Sequence, residues 1–192
     1  MIEKSKKVVS SKTYLGFWLY LMTDAMLFAT LFATYMILRH NTNGGETTHQ
    51  LFEMPFVMLE TVILLASSVT CGIAYVALRH DRKKAFVGLL LSTLILGALF
   101  LGLELYEFRN LVTSGNEWSN SAFLSAYFTL VGTHGLHITV GLLWGTIVGW
   151  AIVRKMKNVD LVSKFGLFTL FWHFLDIVWI FIFTIVYVLG VL

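Results

Sequence analysis

Five long apolar stretches separated by short polar segments account for most of the chain: Leu15–Leu38, Phe56–Leu78, Ala85–Leu105, Ala122–Val153 and Phe165–Leu192. Each is long enough to cross a hydrocarbon layer, which takes roughly 20 helical residues. A spanning segment must satisfy its backbone internally, so each predicts an α-helix. The fourth exceeds one straight crossing, which predicts a tilted helix or first turns lying at the interface. The single proline, Pro55, stands where the second helix should begin, where a missing N–H is harmless. Asn43-Gly44-Gly45 and Thr113-Ser114-Gly115-Asn116 mark two connections. The expected architecture is all-α: one integral membrane domain over residues 1–192, built as a five-helix bundle.

Composition agrees, with 57% hydrophobic and 13% charged residues, a balance that excludes a separate soluble domain. The net charge of +3 matters less than where the charges fall. Lys4, Lys6, Lys7 and Lys12 precede the first span. Arg79, Arg82, Lys83 and Lys84 follow the second, and Arg154, Lys155, Lys157 and Lys164 follow the fourth. Only Arg39 and Arg109 of the 14 basic residues fall in the other loops, alongside Glu46, Glu53, Glu107 and Glu117. The positive-inside rule therefore predicts a cytoplasmic N-terminus and an outside C-terminus. The first span is about twice as long as a signal-peptide core and lacks a small-residue cleavage site, so it reads as retained. The basic residues cluster at helix ends, where anchoring accounts for them without nucleic acid. One cysteine, Cys71, allows no internal disulfide.

Chemistry inside the spans is concentrated in a few ionisable groups. Asp24 lies roughly 13 Å into the first span at about 1.5 Å per residue. His134 and His137 in the fourth span and His173 and Asp176 in the fifth lie at similar depth. Glu60, Glu104 and Glu107 lie nearer the outer face. Three-residue spacing puts Glu104 with Glu107, His134 with His137, and His173 with Asp176 on shared helix faces. A charge at mid-membrane costs roughly 3 kcal/mol, so these groups are expected to face protein. Two readings compete: a metal or haem site, and a hydrogen-bonded network tying helices together. The ligand pattern favours the network, because no Glu-x-x-His occurs within a span and only His173 stands opposite the His134/His137 pair. Gly141, Gly145 and Gly149 form a small-residue stripe suited to close helix packing, and Gly132 and Gly135 flank His134. Ser67, Ser68, Thr70, Cys71 and Gly72 form a second small patch. Trp18, Trp144, Trp150, Trp172 and Trp179 divide between interfacial anchors and core. No nucleophile–base–orienter set or phosphate loop is present. A free-standing proton or small-solute transporter is the alternative of a different class, and the lack of internal repeats argues against it.

Five motifs, one per span and in order, carry a resemblance. They are Gly16-Phe-Trp-Leu-Tyr-Leu-Met-Thr-Asp24, Phe52-Glu-Met-Pro-Phe-Val-Met-Leu-Glu60, Glu104-Leu-Tyr-Glu-Phe108, Gly132-Thr-His-Gly-Leu-His137 and Trp172-His-Phe-Leu-Asp-Ile-Val-Trp179. Together they resemble subunit III of the haem-copper respiratory oxidases, in the five-span form of the bacterial quinol oxidases such as the cytochrome bo type. The resemblance implies a non-catalytic subunit of a proton-pumping quinol:oxygen oxidoreductase in a bacterial plasma membrane. It implies packing against subunit I, which holds the haems and copper, with subunits II and IV in the complex and no cofactor in this chain. It further implies bound phospholipid in a cleft between helices and support of sustained turnover and proton uptake. Asp24 matches the family's mid-membrane carboxylate, usually Glu in cytochrome c oxidases. Glu107, His134, His137, His173 and Asp176 match positions of the family's inter-helix polar network. Subunit III of a cytochrome c oxidase is the alternative within the family.

Overall fold

A computed structural model describes residues 2–39, 41, 54–115, 118–154 and 159–191. The predicted turn Asn43–Gly45, together with Glu46, Glu53, Asn116, Glu117, Lys155 and Lys157, lies outside the described residues. Five long helices are present: α1 (Ile2–Leu38), α2 (Met54–Arg79), α3 (Lys83–Thr113), α4 (Ala122–Arg154) and α5 (Val159–Ile182). α5 runs on through a π-helical turn, Phe183–Val188, into a last helical turn, Leu189–Val191. All five are long and apolar enough to span a membrane: 12–38, 54–79, 83–113, 122–154 and 161–188. No strand occurs among the described residues.

Most helix ends fall close to where hydropathy places them, but α1 begins at Ile2, well ahead of Leu15, and the end of α3 is informative. α3 continues through Glu107, Arg109 and Asn110 to Thr113, well beyond Leu105. Polar residues end a hydropathy window but not a helix, because Glu104 and Glu107 point inward and are buried. α4 is a single uninterrupted helix of 33 residues. α2 and α3 form a tight hairpin. Asp81, in the left-handed region at φ 54°, lets the Arg82 N–H reach the Ala77 carbonyl at 3.0 Å and closes the end of α2.

The bundle is organised around α5. The ring of Trp172 occupies a notch between two glycines on different helices. A β-carbon at Gly97 of α3 would lie 2.8 Å from that ring, and one at Gly141 of α4 would lie 2.9 Å from it. One turn along, a β-carbon at Gly145 would meet Phe168 of α5 at 2.7 Å, and one at Gly149 would run into Leu90 of α3. The glycine stripe on α4 thus receives aromatic and leucine side chains rather than a bare backbone. Trp172, Trp179, Phe165, Phe168 and Phe171 are all buried. Trp18 and Trp150 stand on the outside, where the Arg154 guanidinium lies 3.7 Å from the Trp150 ring. α1 is the least embedded helix, with 22% of its span window buried, and it rests on α4 and α5.

Replacing Gly97 by Ala forces a methyl against the Trp172 ring and is expected to destabilise the protein by about 1–3 kcal/mol. Gly102→Ala, on the same helix with nothing within 4 Å, is expected to be neutral or slightly stabilising. Thermal unfolding of the two variants in detergent separates them.

Candidate functional site

The ionisable groups of the spans fall into three clusters with a lone imidazole among them. The first pairs α1 with α4. His137 Nε2 lies 3.5 Å from Asp24 Oδ2, and the same imidazole turns Nδ1 to the Thr133 carbonyl at 2.7 Å. A carbonyl only accepts, so Nδ1 carries a hydrogen, and the Nε2 edge faces the Asp24 carboxyl. Phe28 of α1 closes one side, its ring 5.3 Å from that of His137. Asp24 is 8% exposed, at the seam between the least embedded helix and the rest.

The second cluster joins α2 to α5. His173 turns Nδ1 to the Thr169 carbonyl at 2.7 Å and directs its other edge at Gly72, where a β-carbon would lie 3.6 Å from Nε2. Asp176 lies beside His173 and in reach of the Ser68 hydroxyl. The patch of small residues on α2 is the receiving face for this helix. Trp172 Nε1 donates to Ser67 Oγ at 3.1 Å, and Trp179 Nε1 donates to Thr61 Oγ1 at 3.1 Å. Cys71 Sγ approaches Thr169 Oγ1 at 3.9 Å, and Thr70 reaches Thr93 of α3 at 2.9 Å.

The third cluster sits toward the Glu107 end of α3. Tyr187 donates to Glu107 Oε2 at 3.1 Å and Tyr127 to the same oxygen at 3.3 Å. The two phenol oxygens are themselves 3.0 Å apart. Glu104 lies against the backbone of α4, its Oε1 2.9 Å from where a Gly135 β-carbon would stand. Glu60 of α2 approaches the same group electrostatically. The carboxyls of Glu60 and Glu104 are buried with no hydrogen-bond partner among the described residues. His134 is likewise buried with both ring nitrogens unpartnered. Its ring stacks on Trp179 at 5.3 Å and meets Phe100 edge-on at 6.0 Å, so it packs as a flat ring.

The carboxylates and histidines singled out inside the spans are all placed, but they do not converge, and the expected hydrogen-bonded network does not reach Glu60, Glu104 or His134 among the described residues. The three imidazoles face different neighbours, and no group of three or more His, Cys, Asp or Glu among the described residues is placed to hold a metal ion. The sequence reading missed Tyr127, Tyr187, Thr61 and Gly97. A tyrosine in an apolar span has the same signal as a carboxylate there, a polar atom that needs a partner, and Tyr187 carried that signal. An apolar groove of about 270 Å³ opens between α1 and α5, lined by Trp18, Leu21, Met22, His173, Phe174 and Ile177 among others.

Comparison with known proteins gives consistent matches along the chain. A family model described as cytochrome c oxidase subunit III matches residues 3–191. The chain is 47% identical to the cytochrome bo(3) ubiquinol oxidase subunit 3 of Pseudomonas putida, over 94% of this chain and 87% of that one. It is 44% identical to the cytochrome c oxidase subunit 3 of Bacillus sp. (strain PS3), over 98% of this chain and 91% of that one. It is 46% identical to the quinol oxidase subunit 3 of Bacillus subtilis (strain 168), over 92% of this chain and 86% of that one.

Glu107→Leu removes the shared carboxylate acceptor of two buried phenols and is expected to cost about 1–3 kcal/mol. Glu107→Gln, which keeps an acceptor oxygen in place, should cost less. Unfolding midpoints of the two variants measure the difference.

Proposed function

Because the chain belongs to the cytochrome c oxidase subunit III family, we propose that it is the non-catalytic third subunit of a quinol-oxidising haem-copper terminal oxidase. It packs on subunit I, in a complex that includes subunits II and IV, and the haems and copper reside in subunit I. The observation that carries this reading is the family match along residues 3–191. The clusters support the non-catalytic part: they join α1 to α4, α2 to α5, and α3 to α4 and the end of α5. Helix-joining of this kind holds the bundle in shape.

The shape in question includes the groove between α1 and α5. It is lined almost wholly by apolar side chains, and Trp18, Met22 and Ile177 on its rim are exposed. Such a groove suits a phospholipid acyl chain. Twelve of the 14 Lys and Arg residues belong to the N-terminus and to the loops after the second and fourth spans, which supports a cytoplasmic N-terminus and an outside C-terminus. The electron donor follows from the relatives named quinol oxidases. A cytochrome c donor is the second reading, favoured by the Bacillus sp. (strain PS3) relative.

The test is gentle-detergent purification of the tagged chain from its native membranes, with a reduced-minus-oxidised spectrum and donor assays. Haem bands with a large multi-span partner, and oxygen consumption driven by quinol, are expected. Activity with reduced cytochrome c and none with quinol moves the reading to the second branch. A chain that purifies alone overturns the subunit assignment.

Two substitutions probe the role within that complex. Asp176→Leu, which removes the group beside Ser68 and His173, should weaken retention of the subunit while haem content per assembled complex stays normal. Asp24→Asn should preserve oxygen reduction, with its effect confined to endurance over many turnovers. Quantifying subunit stoichiometry and the decay of activity during turnover checks both.

A further inference from the structure

The last span does not finish as an α-helix. From Phe183 to Val188 it widens into a π-helical turn, in which the Leu189 N–H reaches back five residues to the Thr184 carbonyl. Such a turn accommodates one more residue than the α-helix around it. The local sequence Thr184-Ile185-Val186-Tyr187-Val188 is rich in β-branched side chains, whose χ1 angles crowd the preceding turn of an α-helix.

What the extra residue does is visible in the side chains on either side of it. Trp179 and Tyr187 are eight residues apart, which on an uninterrupted α-helix of 3.6 residues per turn separates them by about 80°. Here their rings meet at 6.3 Å. Trp179 is fixed before the turn by its bond to Thr61 and its stack on His134. Tyr187 is fixed after it by Glu107 and Tyr127. Both side chains are buried, and the turn removes the angular mismatch between the two anchors.

We propose that the π-helical turn Phe183–Val188 is a one-residue register insertion that positions Tyr187 on the Glu107 carboxyl while Trp179 stays on α2. Tyr187 is then a positioning residue for Glu107. With one residue removed from the turn, the tyrosine stands seven residues after Trp179, about 20° off its direction on a plain α-helix. Deletion within the turn therefore restores an ordinary helix and keeps the contact.

The experiment uses the protein as extracted with its partners from native membranes. Deletion of Thr184, whose side chain is exposed and bonds within its own helix to the Ile180 carbonyl, is compared with deletion of Leu136. That residue is an exposed position in the regular part of α4. Deletion of Ile185 repeats the test at a second position. Two readouts are taken: the thermal midpoint, and the infrared band of the Glu107 carboxyl isolated by difference against Glu107→Gln. The expected result is an unshifted midpoint and Glu107 band for both turn deletions. Leu136 deletion should abolish accumulation of the protein, and Tyr187→Phe should shift the Glu107 band. If either turn deletion fails to accumulate, or shifts the Glu107 band as Tyr187→Phe does, the register proposal is overturned.

Discussion

One side chain holds the helices in their relative places. Trp172 of α5 fills the space left by two absent β-carbons, at Gly97 on α3 and Gly141 on α4, and donates its indole N–H to Ser67 on α2. In a bilayer, burial of apolar surface gives no preference for helix over lipid, so shape fit and inter-helix hydrogen bonds decide packing. Trp172 supplies both at once, to three helices. The second indole, at Trp179, repeats the arrangement two turns on with Thr61 and His134. The two donors advance along α5 as their acceptors recede along α2, which fixes the pair as antiparallel and sets its register.

The polar clusters depend on that frame. Glu104 lies against Gly135 only because α3 and α4 are in close contact, and Glu107 meets two phenols only because α5 is held at the right rotation. Some of these bonds are self-limiting. Two phenol protons serve three close oxygen contacts, so the tyrosines cannot satisfy one another and Glu107 fully by themselves. The unpartnered carboxyls of Glu60 and Glu104 and the bare nitrogens of His134 add a destabilising term that surrounding aromatic packing offsets. This is a bundle whose polar interior is tolerated by its apolar fit.

The spans were legible because hydropathy is a property of each segment alone, and each apolar segment falls on one of the five long helices. α3 outruns its apolar segment, since Glu107 and Arg109 lower the local hydropathy while the helix continues to Thr113. The family, too, was legible: the five motifs that carried the resemblance lie within the matched residues 3–191. The pairings were not. Nothing in the spacing of Asp24 says that it meets His137 rather than His173, because which faces oppose is decided by helix packing far apart in sequence. Gly97 escaped notice for a related reason. It belongs to no stripe on its own helix, and its meaning comes from an indole on another. The acceptor role of Thr61 and Ser67 likewise belongs to Trp179 and Trp172.

The shallow seating of α1 has a bearing on how the chain is made. α1 leaves the ribosome before its supports, α4 and α5, which are synthesised roughly 100 residues later, a delay of order 10 s at the usual pace of translation. Throughout that interval Asp24 has no imidazole opposite it and relies on Tyr20, one turn back on its own helix, against an insertion penalty of roughly 3 kcal/mol. The remainder of α1, rich in leucine, methionine and phenylalanine, is apolar enough to keep it inserted meanwhile. Arrival of His137 then ends the wait. The Asp24–His137 contact forms only once the fourth helix is in the bilayer, so the seam between α1 and the rest of the bundle is among the last to close.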